Sequence, residues 1–304
     1  MGLANVIKGK IEQPEFILEY GPDGVGKSTF ASEAPNPIFL GSEDGTGHLD
    51  TSRVSCPTFT DVMETLEDLR VQPHDYKTIV VDSLDWMEPL VWDHVCKEGG
   101  KKHIEDFGYG KGYVHAIDTW RSFISLLTQV RKEKGMHVIL IAHSQLKRFD
   151  DPQHNEAYDR YVLKLNDKAS ALFREATDCV LFINYETALA RDERSKKVRA
   201  FGGSEPILYT ERRPAFDAKN RKGLPFEIRL PKGKSWAAYM EACERGREPS
   251  GAELVSQCRG LLENVRDVEL KQKVDEELAT AAKLQDLDMV KRVKQKLTTI
   301  SDNA

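Results

Sequence analysis

Gly21-Pro-Asp-Gly-Val-Gly-Lys-Ser28, in the context ILEYGPDGVGKSTFA, fills every fixed position of the pattern G-x-x-x-x-G-K-[ST]. An apolar run, Phe16 to Leu18, enters the stretch, and a helix-compatible segment, Ser28 to Glu33, leaves it. That strand–loop–helix context is what the pattern needs in order to mean a phosphate-binding loop. The glycines let successive backbone N–H groups turn inward around a phosphate, and the dipole of the following helix favours the anion. Lys27 reaches the outer phosphates and Ser28 binds Mg²⁺. Gly21, Pro22, Asp23, Gly24, Val25, Gly26, Lys27, Ser28 and Thr29 are therefore expected to hold ATP with Mg²⁺.

The flanking sequence repeats the same alternation. Pro37-Ile-Phe-Leu40 reads as a short buried strand, with Gly41-Ser-Glu-Asp-Gly-Thr-Gly47 as the loop at its end. Residues 61–70 place Val62, Leu66 and Leu69 on one helical face. Thr78-Ile-Val-Val-Asp82 is a β-branched run ending in an acid, followed by a helix from Leu84 to Cys96. Residues 97–113, rich in Gly and Lys and poor in periodicity, read as a mobile loop. Ile117, Trp120, Ile124, Leu127 and Val130 recur at helical spacing. His137 to Ala142 is a further strand, followed by a polar, basic loop from Ser144 to about Lys164, a helix over 167–177 and a strand from Cys179 to Ile183. Strands alternating with helices predict a mostly parallel sheet covered on both faces. From Glu186 to Leu230 the pattern changes to short β segments, which predicts an antiparallel extension. The composition shifts again beyond Pro249 to two or three amphipathic helices, broken near Asp267 and Asp286. The expected domains are an ATPase core over 1–245 and a helical appendage over 246–304.

The 304 residues carry a net charge of only −5, so a polyanion would have to meet a local cationic patch rather than a global field. Five scattered cysteines without a C-x-x-C pair argue for free thiols in a reducing cytosol. The N-terminal MGLANVIKGKIEQ has no apolar signal core, and no stretch is long enough to span a bilayer. The expectation is a soluble, cytoplasmic protein.

Ligands of such sheets bind at the carboxyl ends of the strands. Asp82 is placed there to hold the Mg²⁺ shell. The residue after it is Ser83, so the adjacent glutamate of many ring ATPases is missing. Glu43 is the preferred base for hydrolysis, with Asp44 and Asp85 as competitors. His143, with Ser144 and Gln145 just beyond it, ends a strand where a polar side chain can sense the outer phosphate. Lys219 and Arg221 in AFDAKNRKGLPFEI form either a solvated turn or a pair that reaches the ATP of a neighbouring subunit. Two basic segments with interleaved aromatics suit single-stranded nucleic acid: Lys97, Lys101, Lys102, His103, Tyr109 and Lys111, and then Lys147, Arg148, Arg160, Tyr161 and Lys164.

GPDGVGKSTFA, FLGSEDGTGHLD, TIVVDSLDWME, FGYGKGY, VILIAHSQLKRF and AKNRKGLP, in this order over roughly residues 14–235, resemble the RecA-like recombination ATPases. Within them they are similar to the short phage-type ATP-binding proteins that include single-strand annealing recombinases. The resemblance implies a RecA-like P-loop core, a base at Glu43, a phosphate sensor at His143 or, by likeness of SQLKR to replicative helicases, at Gln145, and DNA-binding loops at 97–113 and 145–165. It also implies that Lys219 and Arg221 act across a subunit interface, so that ATP lies between members of a homo-oligomer. The function it implies is a DNA-stimulated ATPase that promotes annealing or strand exchange on single-stranded DNA. The competing readings are a replicative-helicase-like translocase, a small-molecule kinase and a nucleotide-gated scaffold with little turnover. The C-terminal helices lie outside the resemblance; contact with a single-strand DNA-binding protein is one role for them.

Overall fold

The structure is a computed structural model that describes residues 11–41, 47, 49–151, 156–191, 198–246, 251–263, 265, 268–284 and 287–302. Its elements in the first unit run β1 (Phe16–Gly21), α1 (Lys27–Ser32), β2 (Pro37–Gly41), β3 (Ser52–Ser55), α2 (Phe59–Val71), β4 (Thr78–Val81) and α3 (Leu84–Glu98). They continue with α4 (Lys111–Lys134), β5 (His137–Phe149), β6 (Tyr158–Leu163), α5 (Asp167–Ala176), β7 (Cys179–Arg191), β8 (Val198–Tyr209), β9 (Glu227–Arg229) and α6 (Ser235–Gly246). The strand order is β3-β2-β4-β5-β1-β7-β8-β9, with β6 paired to β5 alone. Pairing is parallel from β3 through β7 and antiparallel in β7–β8, β8–β9 and β5–β6. This is the expected α/β architecture, a mostly parallel sheet with an antiparallel extension and C-terminal helices.

β1 is buried along its whole length, and its alternate residues feed two cores. Phe16, Leu18 and Tyr20 face the side covered by α2, α3 and α4, where Leu66, Met87, Val91, Trp120 and Phe123 pack. Ile17 faces the other side, closed by Phe30 of α1 and by Trp236 and Tyr239 of α6. Burial of this kind is worth about 1.5–3 kcal/mol per large apolar side chain. Polar groups fix the edges of these layers. Thr58 and Asp61 form a reciprocal capping box at the start of α2. The carboxylate of Glu33, just past α1, accepts from the N–H groups of Gly233, Ser235 and Trp236, which locks α6 over α1.

Three segments depart from the sequence reading. Residues 97–113 do not form one loop: α3 reaches Glu98, a 3₁₀ turn covers Ile104–Phe107, and α4 starts at Lys111. Asp106 accepts from the N–H groups of Lys102 and His103 and ties that turn down over buried Ile104. The expected basic loop after Ala142 is a hairpin, because β5 runs on to Phe149 and pairs with β6 from Ser144↔Leu163 to Phe149↔Tyr158. The expected short segments after Glu186 are instead two long strands, β7 and β8, joined in one antiparallel ribbon.

Residues 247–304 form a second compact unit. Helices α7 (Gly251–Glu263), α8 (Val268–Leu284) and α9 (Leu287–Asp302) enclose their own core of Leu254, Cys258, Leu262, Leu278, Val293 and Leu297. No helix among the described residues is long and apolar enough to cross a membrane.

Candidate nucleotide site

The loop between β1 and α1 is shaped by its glycines. A Cβ on Gly21 would lie 2.2 Å from the carbonyl oxygen of Ile183, so only glycine lets β1 approach β7 this closely. Gly26, which begins α1, has φ 98°, a left-handed conformation that side chains resist. Val25 is buried and pins the loop from below, while Asp23 and Gly24 are exposed at its crest.

Lys27 is 5% exposed and donates to the carbonyl oxygens of Gly21 at 3.1 Å and Pro22 at 2.8 Å, both within its own loop. Burial draws its ammonium below the ordinary lysine range, against the pull of the surrounding acids Glu19, Asp23, Asp82 and Asp85. Ser28 donates to Asp82 at 2.7 Å, joining the start of α1 to the end of β4. Burial raises the Asp82 carboxyl above its usual range, although Ser28 and Lys27 oppose that shift. Ser28 and Asp82 are thus the oxygen pair that Mg²⁺ would meet, and one or two protein oxygens completed by phosphates is how this ion binds. Among the described residues no cluster of three or more His, Cys, Asp or Glu side chains could hold a metal by itself.

His143 stands where β5 leaves the parallel sheet, opposite Gly21 in register. Its backbone N–H donates to Asp85 at 2.9 Å, its Nδ1 lies 2.8 Å from the other oxygen of Asp85, and its Nε2 lies 3.5 Å from Asp23 of the loop. Burial works against the Asp85 charge, but the bonds from His143 outweigh it and hold this carboxyl below its ordinary range. Asp85, weighed as a competing base, is therefore committed to orienting His143. One turn along α3, Glu88 is 6% exposed and accepts the N–H of Asn166 on both oxygens, at 3.0 and 3.1 Å. Burial raises its pKa to about 7. Lys164 N–H closes the same junction on the carbonyl of His143 at 2.9 Å. Two acids of α3 thus grip both roots of the β5–β6 hairpin.

The remaining candidates are scattered. Glu43 and Asp44 lie outside the described residues; β2 ends just before them at Gly41, and Asp82 donates its N–H to Leu40 of that strand at 3.0 Å. Gln145 is exposed on the hairpin, and its amide donates to Leu163 at 3.4 Å rather than toward the loop. Lys101, Lys102, Tyr109 and Lys111 are exposed, Tyr109 fully so. Lys147, Arg148 and Lys164 are exposed on the hairpin, with Lys147 paired to Asp167 at 2.8 Å. Arg160 corrects the sequence reading: it is 3% exposed, paired with Asp217 at 2.5 Å, and buried too deeply to meet a strand of nucleic acid as a surface cation. Lys219 bridges to Val180 on β7 and donates to the carbonyl of Arg174, while Arg221 is exposed. Val180 lies three residues before Ile183, about 10 Å back from the loop along the strand.

Some partners carried a faint sequence signal. Glu19 interrupts the apolar run of β1 and is fully buried, with neither carboxylate oxygen bonded among the described residues; burial drives its pKa well up. Asp85 and Glu88 share one face of α3 at spacing i, i+3, which only the placement of the hairpin roots makes meaningful.

No curated protein matches the chain. Among solved structures, the crystal structure of the RadB recombinase is similar to it at 12% identity with a TM-score of 0.38, over 73% of this chain and 90% of that one. The family model described as an AAA domain matches residues 14–222, the span from the first strand to the turn that holds Lys219 and Arg221, and the chain belongs to that AAA-domain family as a P-loop ATPase.

Proposed function

We propose that the chain is a DNA-stimulated ATPase that binds single-stranded DNA and promotes annealing or strand exchange as an oligomer, in the manner of the short phage-type RecA-like proteins it resembles. The observation that carries this reading is the grip of α3 on both roots of the β5–β6 hairpin, through Asp85 at His143 and Glu88 at Asn166, while His143 also reaches Asp23 of the phosphate loop. A change at the outer phosphate then has a short path to the cations of the hairpin.

Lys27 exchanges its two carbonyl partners for phosphate oxygens, and the loop N–H groups surround the rest of the triphosphate. Ser28 and Asp82 would hold Mg²⁺, which would supply charge neutralisation at the phosphates. Glu43 orients the attacking water and takes its proton. His143 reads the outer phosphate, with its ring fixed by Asp85. Lys219 and Arg221, set back from their own loop along β7, serve the ATP of a neighbouring copy. Lys101, Lys102, Tyr109 and Lys111, with Lys147, Arg148 and Lys164, meet the DNA, the cations following the backbone and the exposed ring stacking on a base.

The test is the rate of ATP hydrolysis with and without single-stranded DNA. We expect stimulation that is lost in Glu43→Gln and that becomes less salt-dependent in Lys147→Gln/Arg148→Gln. Equal rates with and without DNA would remove the DNA from the reading. Equal rates for Glu43→Gln and the unaltered protein would remove Glu43 as the base.

A further inference from the structure

A second cleft lies on the face of the sheet opposite α1. It is a cavity of about 240 Å³ between the β5–β6 hairpin, α5 and the segment around Asp217, with Tyr20 in its lining. Lys147, Arg148, Arg160 and Arg174 line it against only two carboxylates, Asp167 and Asp217. Asp217 is itself shared by three guanidinium groups, those of Arg160 at 2.5 Å, Arg174 at 2.8 Å and Arg212 at 3.6 Å. One carboxylate cannot neutralise three such neighbours. Arg160 also spends its NH₂ group on Asp217 and on the carbonyl of Phe216, and stacks on Phe149 with its guanidinium carbon 5.2 Å from the ring centre. Its buried Nε–H finds no acceptor among the described residues. That group is sealed inside the wall, so the donors an incoming anion can reach are those of Lys147, Arg148 and the 40% exposed Arg174, and such a cationic lining calls for an anionic ligand.

We propose that this cavity is a phosphate-recognition site separate from the P-loop, taking a phosphomonoester or one phosphodiester together with its sugar. The guanidinium forks suit tetrahedral oxyanions, which accept two parallel N–H bonds. The volume is near the lower bound of small-ligand pockets, about 300 Å³, too small for a dinucleotide and ample for one phosphate with its sugar. The site is one residue from the nucleotide loop along β1. The Tyr20 hydroxyl donates to the carbonyl of Asp217 at 2.6 Å and accepts its N–H at 2.9 Å, and the next residue along β1 is Gly21.

Binding of two probes, thymidine 5′-monophosphate and oligothymidylate, tests the site in the full chain with the P-loop saturated by a non-hydrolysable ATP analogue. Arg174→Gln is the informative variant, because its side chain is 40% exposed and its loss leaves the fold intact; Arg148→Gln repeats the test from the hairpin side. Arg121→Gln, on the exposed face of α4, controls for loss of a charge elsewhere. We expect both cavity variants to bind the mononucleotide about tenfold more weakly and the control to be unchanged. If oligothymidylate weakens in parallel, the phosphate comes from a nucleic-acid strand; if only the mononucleotide weakens, the ligand is a free nucleotide. If neither probe distinguishes the cavity variants from the control, or if the unaltered protein binds neither, the proposal is wrong. Its failure is separable from that of the proposed function, which is read by DNA stimulation of hydrolysis and not by binding in the Arg174 variant.

Discussion

The phosphate loop and the cation-lined cavity lie one residue apart on β1, at Gly21 and Tyr20, yet they are assembled in opposite ways. The loop is local: eight consecutive residues bend back so that Lys27 bonds the carbonyls of Gly21 and Pro22, and among the described residues the side chain of Ser28 reaches out of that stretch to Asp82. The cavity is wholly long-range. Arg160 meets Asp217 across 57 residues of chain, and Asp217 meets Tyr20 across 197. In the loop, charge is held back for a ligand, because Lys27 is neutralised by carbonyl dipoles rather than by a directly bonded carboxylate. At the cavity, one half-buried carboxylate organises three arginines. The first arrangement is poised for chemistry, and the second also supports the fold.

That contrast can be broken by two substitutions. Removing the ammonium in Lys27→Ala should lower ATP turnover by about 10²–10³-fold, the scale for losing one preorganised charge at a transition state, while thermal stability changes little. Arg160→Met should do the reverse. It removes the closest of the three arginines on the half-buried Asp217, which keeps Arg174 and Arg212, so the cost should be about 1–3 kcal/mol, a fall in melting temperature of roughly 5 °C for a unit of this size. Arg174→Met touches the same carboxylate from a half-exposed position and should cost under about 1 kcal/mol. Melting curves and turnover on the same preparations check all three. If Arg160→Met melts like the unaltered protein, the cavity does not hold the fold. If its residual folded fraction loses turnover as severely as Lys27→Ala, the two regions are not separate.

The same contrast explains what could be read from the residues. The loop, Asp82 and His143 announce themselves because each is fixed by its neighbours in sequence: a glycine pattern, or the end of an apolar run that must be a buried strand. The sheet could be foreseen for that reason, and so could its antiparallel edge. The hairpin could not. Ser144 to Phe149 is polar on both faces and looks like a loop; only pairing with Tyr158 to Leu163 makes it a strand. Arg160 was misplaced for the same cause, since a cation in a basic stretch is read as solvated until Asp217 and Phe149 close over it. Glu88 carried no usable signal, because an acid inside a helix has no stated purpose until the N–H of Asn166 is set before it.

Glu88 links the two regions, since it sits on the helix that follows Asp82 and holds the root of the hairpin that lines the cavity. Its pKa of about 7 in the folded protein lies above the ordinary carboxyl value of about 4.3, so the folded state binds a proton that the unfolded state releases. The sign follows from linkage: the stability this group contributes is complete below about pH 4.3 and declines as pH rises to about 7, above which it is lost. Glu88→Gln keeps an oxygen to accept the Asn166 N–H and has no charge to bury. The advantage of the variant over the unaltered protein should be smaller near pH 5 and widen by on the order of 2 kcal/mol by pH 8, a few degrees in melting temperature. Histidines and other acids titrate in both proteins, so the difference between the two melting curves isolates this one carboxyl. Curves that stay parallel from pH 5 to pH 8 would mean that Glu88 is ionised throughout, and that the grip on Asn166 is an ordinary charged bond. A gap that opens with pH would mean that the link between nucleotide loop and hairpin is held by a carboxyl that changes charge near neutrality.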